Sequence, residues 1–182
     1  MRCTARSPLQ DEARGDGHFY PNHRIQCRGD QLQEYVPKHS ARVCCVALRY
    51  SSAADLEMTL WDVGGQDKIR ALWRHYYENT DALIWIIDSA DESRLSESRD
   101  ELHRVLSEDL LRNASILVMA NKQDMPHALR PERLSEALGL RSLRTQPWYI
   151  QGCSALTGEG LFEGLEWLHK TIRAKPRAKA LG

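Results

Sequence analysis

Three short polar clusters in this chain gather the kinds of group that hold ligands. Asp62-Val63-Gly64-Gly65-Gln66 sets a carboxylate, two glycines and an amide side by side. Asn121-Lys122-Gln123-Asp124 combines amides, an ammonium and a second carboxylate. Ser154-Ala155-Leu156 offers a hydroxyl on a backbone with little bulk. Each cluster directly follows a run that reads as a β-strand. In open parallel sheets, ligands sit beyond the carboxyl ends of the strands, so the expected chemistry is recognition of a polar ligand by hydrogen bonds and charge. Taken singly, each cluster is explained by turn formation, since Asx and Gly are ordinary turn residues. Together and in this order they are specific.

The elements that must position these clusters alternate from residue 56 onward. Leu56–Trp61 reads as a short strand and Asp67–Tyr77 as a helix. Ala82–Ile87 is continuously apolar between two aspartates, the pattern of a strand buried on both faces. Leu95, Leu102, Val105, Leu106 and Leu110 recur at helical spacing and predict an amphipathic helix over 92–112. Ile116–Ala120 and Trp148–Cys153 predict two more buried strands. Pro131 opens a helix that Gly139 ends. Leu161, Leu165, Leu168 and Ile172 mark a last helix. The rhythm is that of an α/β fold with a parallel sheet.

Residues 1–55 lack this rhythm. They read as mostly irregular, with one strand at Val43–Leu48. Four of the five cysteines (Cys3, Cys27, Cys44, Cys45) lie in this part, and all five tryptophans lie after residue 60. The expected organisation is therefore a segment 1–55 of different origin, a domain over 56–175 and a basic tail over 176–182. That tail, with Arg173, Lys175, Arg177 and Lys179 around it, reads as a frayed, solvated end.

Composition excludes several classes. The 25 basic residues balance 25 acidic ones, which argues against nucleic acid as a partner. No apolar run approaches the ~18–20 residues of a membrane span, and the first ten residues have no apolar core of a secretory signal. The odd cysteine count suits a reducing compartment, so a cytoplasmic setting is expected. His75, His103, His127 and His169 are too widely spread for a metal site. Cys153 reads as a small buried hydrophobe.

The three clusters and their flanks resemble the ADP-ribosylation factor (Arf and Arf-like) family of small GTPases. The stretches WDVGGQDKIRALWRHYYENTDALIWIIDSADESRL, ILVMANKQDMPHAL and WYIQGCSALTGEGLFEGLEWL carry the resemblance, over about residues 56–172. It implies a GTP/GDP switch in intracellular vesicle trafficking, placed on Golgi and other endomembrane surfaces. Asp124 would accept hydrogen bonds from the ring N–H and exocyclic amine of guanine, a donor pair adenine does not present. Lys122 would lay its aliphatic stem along the base, and Asn121 would tie neighbouring loops together. Ser154 and Ala155 would meet the guanine carbonyl through backbone N–H. Leu156 stands where many small GTPases have lysine.

In the first cluster the resemblance makes Asp62 a water-mediated holder of Mg²⁺, with Gly64 beside it. Gly65 would bring its N–H to the γ-phosphate, where a missing Cβ allows close approach. Gln66 would orient the attacking water. Trp73 and Tyr76 resemble the family's exposed face for effectors, exchange factors and GTPase-activating proteins; core packing explains them equally well.

Part of the family pattern is missing. The chain has no GxxxxGK[ST] phosphate loop, no switch-one threonine block, and Arg2 rather than Gly follows Met1, so membrane association without a myristoyl group is expected to be weak. The codons of residues 9–35, read one base later, allow a sequence containing TPTIGFNVE. This suggests out-of-frame translation of the family's first switch, and a retained intron over roughly 36–55 would restore the frame. The expected fold is thus phosphate-loop-NTPase-like but incomplete, with its central first strand and phosphate loop absent. Seven residues (49–55) cannot make a parallel crossover. Val43–Leu48 is therefore expected as an antiparallel edge strand beside Leu56–Trp61, with the central slot empty or poorly filled. GTP or GDP with Mg²⁺ would bind weakly, and hydrolysis would be slow. The alternatives are a nucleotide-independent interaction fragment or a non-functional product of the altered reading frame.

Overall fold

Two runs of large apolar residues, Ala82–Asp88 and Ser115–Asn121, are too apolar on both faces to lie anywhere but inside a layered sheet. In the computed structural model they are adjacent parallel strands with Leu83, Trp85, Ile116, Leu117 and Val118 fully buried. The structure describes residues 73–175 in full. Before them it describes the backbone of four strands: Thr4–Arg6 (β1), His23–Arg28 (β2), Cys44–Tyr50 (β3) and Glu57–Val63 (β4). Ala82–Asp88 is β5, Ser115–Asn121 is β6 and Trp148–Gly152 is β7. The seven strands form one sheet in the order β1-β2-β4-β3-β5-β6-β7.

The parallel half of the sheet is as the sequence predicts. β5, β6 and β7 pair in parallel, with Asp88 level with Asn121 and Ala120 level with Gly152. The loops after these strands therefore share one edge. β7 differs from its neighbours in being an outermost strand, so Tyr149 stays 37% exposed rather than buried. Tyr149 instead stacks on Trp167 at 5.3 Å between ring centroids.

The central slot is not empty, and β3 is not at the edge. β3 lies between β4 and β5 and runs antiparallel to both. As the loop-length argument requires, β3 and β4 pair as an antiparallel hairpin, with six residues, 51–56, between them. The strand then takes the interior position because there it pairs with two neighbours, whereas an open slot would leave β4 and β5 with unpaired N–H and C=O groups. Nor is the first part of the chain wholly irregular, since β1, β2 and β3 all fall within residues 1–55. β4 and β5 point the same way as a result.

Four α-helices lie among the described residues: Arg74–Tyr77 (α1), Leu95–Leu106 (α2), Pro131–Ala137 (α3) and Leu161–Ala174 (α4). The helix expected over 92–112 is interrupted. Ser107 ends α2, Glu108 is extended, and a separate 3₁₀ turn covers Asp109–Leu111. That break shifts the helical phase, so Leu111 is buried while Leu110 is 56% exposed. Gly139 ends the α3 region in the left-handed conformation, φ 66°, and a ring nitrogen of His103 reaches the Leu138 carbonyl there at 2.9 Å. α4 runs to Ala174, and Lys175 is anchored rather than frayed. Its Nζ donates to the carbonyls of Asp81 and Asn113, at 3.3 and 2.5 Å. Burial lowers the Lys175 pKa, against a smaller opposing pull from Asp81. Residues 176–182 of the expected tail lie outside the described residues. No helix among those described is long and apolar enough to cross a membrane.

One buried polar contact ties α2 to the sheet. The Trp85 indole N–H donates to Ser98 Oγ at 3.1 Å, with Ser98 5% exposed. Ser98→Ala strands that donor in an apolar setting. The expected loss is ~1–3 kcal/mol of unfolding free energy, read from urea denaturation followed by tryptophan fluorescence.

Candidate functional site

The edge where β5, β6 and β7 end is knitted by hydrogen bonds that begin in the backbone. Ser89 N–H donates to the Asn121 carbonyl at 3.0 Å, and Cys153 N–H to the Ala120 carbonyl at 2.9 Å. Gln123 N–H donates to the Cys153 carbonyl at 3.0 Å. The Gln123 side chain then staples two loops, its Nε2 donating to Ser89 Oγ at 2.9 Å and to the Leu129 carbonyl at 3.0 Å. Turn propensity does not reveal this role of Gln123, because folding alone brings Ser89 to it.

Asn121 does tie neighbouring loops, as expected. Its Oδ1 accepts the Ala155 N–H at 2.9 Å, joining the loop after β6 to the loop after β7. A second tie lies beside it. Ser154 Oγ donates to Asp124 Oδ1 at 2.5 Å and accepts the Thr157 N–H at 3.2 Å. Ser154 is 2% exposed, whereas Asp124 lies on the surface. Asp124 Oδ2 has no hydrogen bond among the described residues. A carboxylate held from one side with its second oxygen open is suited to accept N–H donors from a ligand.

Lys122 adopts φ 67°, a left-handed backbone that is uncommon outside glycine. Its Nζ reaches Asp88 Oδ2 at 2.7 Å. Gly160, at φ 74°, closes the loop after β7 where a Cβ would collide with the Gly152 carbonyl. The N–H groups of Ser154 and Ala155 already have acceptors, Glu159 O at 2.9 Å for the first and Asn121 Oδ1 for the second. These amides serve the loop itself in this structure. Leu156, 84% exposed, supplies a bare apolar surface beside them. Cys153 is 2% exposed and its thiol is pushed up to about 12 by burial, so it is a packing residue and no nucleophile.

The first cluster stands apart. The Asp62 backbone belongs to β4, in register with Val46 of β3 and through it with Ile84 of β5. That is four residues short of Asp88, about 13 Å along the strand direction at the usual strand rise. Gly64, Gly65 and Gln66 lie outside the described residues. Trp73 is not on an exposed face: it is 1% exposed and meets Trp85 edge-on, 5.9 Å between centroids at 88°. Burying the large ring against a second one gains more apolar contact than a short helix could expose to solvent. Tyr76 is half-buried against the same core.

Comparison with known proteins places this geometry. The family model for the ADP-ribosylation factor family matches residues 26–172. It reaches back ahead of Leu56 and takes in β3 and the second half of β2, Gln26–Arg28. Among solved structures, the chain is similar to the Arl6 (BBS3) small GTPase of Trypanosoma brucei, solved with the nucleotide analogue GppNp. The two are 30% identical with a TM-score of 0.66, over 78% of this chain and 87% of that one.

Proposed function

This chain belongs to the ADP-ribosylation factor family of small GTPases, and from that premise we propose that it keeps the guanine-reading half of a GTP/GDP site while holding phosphates poorly and hydrolysing GTP little. The observation that carries the reading is a contrast between two halves of one sheet. On the base side, Asn121, Asp124, Ser154 and Ala155 are locked together by two cross-loop hydrogen bonds at 2.9 and 2.5 Å. On the phosphate side, the strand in the central slot runs antiparallel to both neighbours. Its carboxyl end, Tyr50, therefore lies at the opposite edge from Asp88 and Asn121. A loop following it cannot present backbone N–H groups where the base-reading loops are. The sequence also lacks the glycine-rich lysine motif that would supply them.

The residues that are present fit the base. Asp124 supplies the acceptor, the Lys122 stem a flat apolar wall, and Asn121 the brace that holds both loops. Asp62 would hold Mg²⁺ through water, with Gly64 and Gly65 toward the γ-phosphate and Gln66 orienting water. These groups would serve phosphates for which the sequence has no GxxxxGK[ST] motif. The family relation supports effectors, exchange factors and GTPase-activating proteins as partners, and a trafficking role at endomembrane surfaces.

Calorimetric titration of the full chain with guanosine and with GDP plus Mg²⁺ tests this. A working cradle makes several charge-assisted hydrogen bonds at ~1.5–3 kcal/mol each, so it would separate the two ligands by orders of magnitude. The expected result is a GDP affinity within about tenfold of guanosine. A GDP dissociation constant of about 1 μM or tighter, far below that of guanosine, would overturn the proposal.

A further inference from the structure

Lys122 is held in a strained backbone conformation, and a residue held so is fixed by its surroundings. Contacts at both ends of the residue fix it. Met125 N–H donates to the Lys122 carbonyl at 2.9 Å. At the other end of the side chain, Nζ meets Asp88 Oδ2 at 2.7 Å. Asp88 is itself fixed, since its Oδ1 accepts the Ala90 N–H at 3.0 Å and its side chain is 12% exposed. Arg94 also feels the Asp88 charge, but its guanidinium is hydrogen-bonded to Asp91. The direct ion pair of Asp88 is the one with Lys122.

We infer that Asp88 is a positioning residue for base recognition: its carboxylate holds the Lys122 ammonium at the sheet edge, so that the lysine stem is already laid out as the wall against which a guanine ring rests. The inference rests on the guanine reading above and names a residue that reading does not use. Physically, a lysine side chain loses rotamer freedom when it orders against a ligand. An anchor that orders it beforehand removes that cost from binding. The anchor matters more where phosphate contacts are weak, because the base then supplies most of the affinity.

The test is a double-mutant cycle on the full chain, with guanosine as the probe and calorimetry as the readout. Asp88→Asn keeps the shape and the acceptor for Ala90 N–H but removes the charge that attracts Nζ. It is expected to weaken guanosine binding about three- to tenfold, and Asp88→Glu to recover most of that. In a Lys122→Met background, Asp88→Asn is expected to change affinity less than about twofold, because the group it positions is gone. Equal losses in both backgrounds would show that Asp88 supports the loop at large and overturn the inference. So would unchanged binding by Asp88→Asn. No measurable guanosine binding by the unaltered chain would overturn the guanine reading itself, and this inference with it.

Discussion

Asp124→Ala is expected to cut guanosine affinity by about two orders of magnitude. Two ligand N–H groups would face its carboxylate, and hydrogen bonds to a charged acceptor are worth ~1.5–3 kcal/mol each. The variant also has a stability signature that does not depend on the ligand. Ser154 is 2% exposed, and its hydroxyl proton goes to Asp124 Oδ1. Losing that acceptor in a nearly buried place costs ~1 kcal/mol, a fall of about 2–4 °C in Tm. Asp124→Asn separates recognition from folding. The amide still offers an oxygen to Ser154, but it can present a donor where a carboxylate had none. Its expected preference moves from guanosine toward xanthosine, whose ring carries a carbonyl in place of the exocyclic amine. Binding titrations with the two nucleosides, beside thermal melts, check all three outcomes. Unchanged guanosine affinity in Asp124→Ala would remove the base-reading role.

The reach of the sequence differs between the two halves of this sheet, for identifiable reasons. Ala82–Ile87 and Ile116–Ala120 announce themselves because a strand covered on both faces needs apolar side chains at every position. Asn121 was readable as a loop tie through the family resemblance, since residue type alone left its cluster a plain turn. Gln123 was not readable, since its two acceptors, Ser89 Oγ and the Leu129 carbonyl, are brought near by folding alone. The same limit applies to the pairing of Lys122 with Asp88, residues 34 positions apart that meet because β5 and β6 are adjacent. β3 shows a different kind of limit. Loop length correctly dictated an antiparallel hairpin with β4. It could not dictate on which side of β4 the hairpin folds, which is settled by the backbone groups of β5 waiting to be paired. Leu110 and Leu111 illustrate a third. A single extended residue, Glu108, turns the apolar face by one position, and helical periodicity carries no trace of that break.

Trp73→Ala is expected to cost ~3–5 kcal/mol of unfolding free energy, as for other large-to-small changes in a packed core. The sequence left this residue balanced between a partner-binding face and the core, and those readings predict very different numbers. A tryptophan on an exposed face can be truncated within about 0.5 kcal/mol. At 1% exposure, edge-on to a fully buried Trp85, its removal leaves a cavity beside Trp85 in the main core that α1, four residues long, cannot close. For a family domain with a total stability of about 5–15 kcal/mol, that loss is large enough to populate unfolded chain. Urea denaturation followed by far-ultraviolet circular dichroism measures it. A loss below about 1 kcal/mol would place Trp73 outside the core. The same number decides how partner experiments with this chain are read. If Trp73→Ala abolishes capture by an effector while stability falls by several kcal/mol, the lost capture reports a lost fold. Evidence for a face on α1 then has to come from its solvent-side residues, Arg74 and His75, whose side chains can be cut back without opening the core.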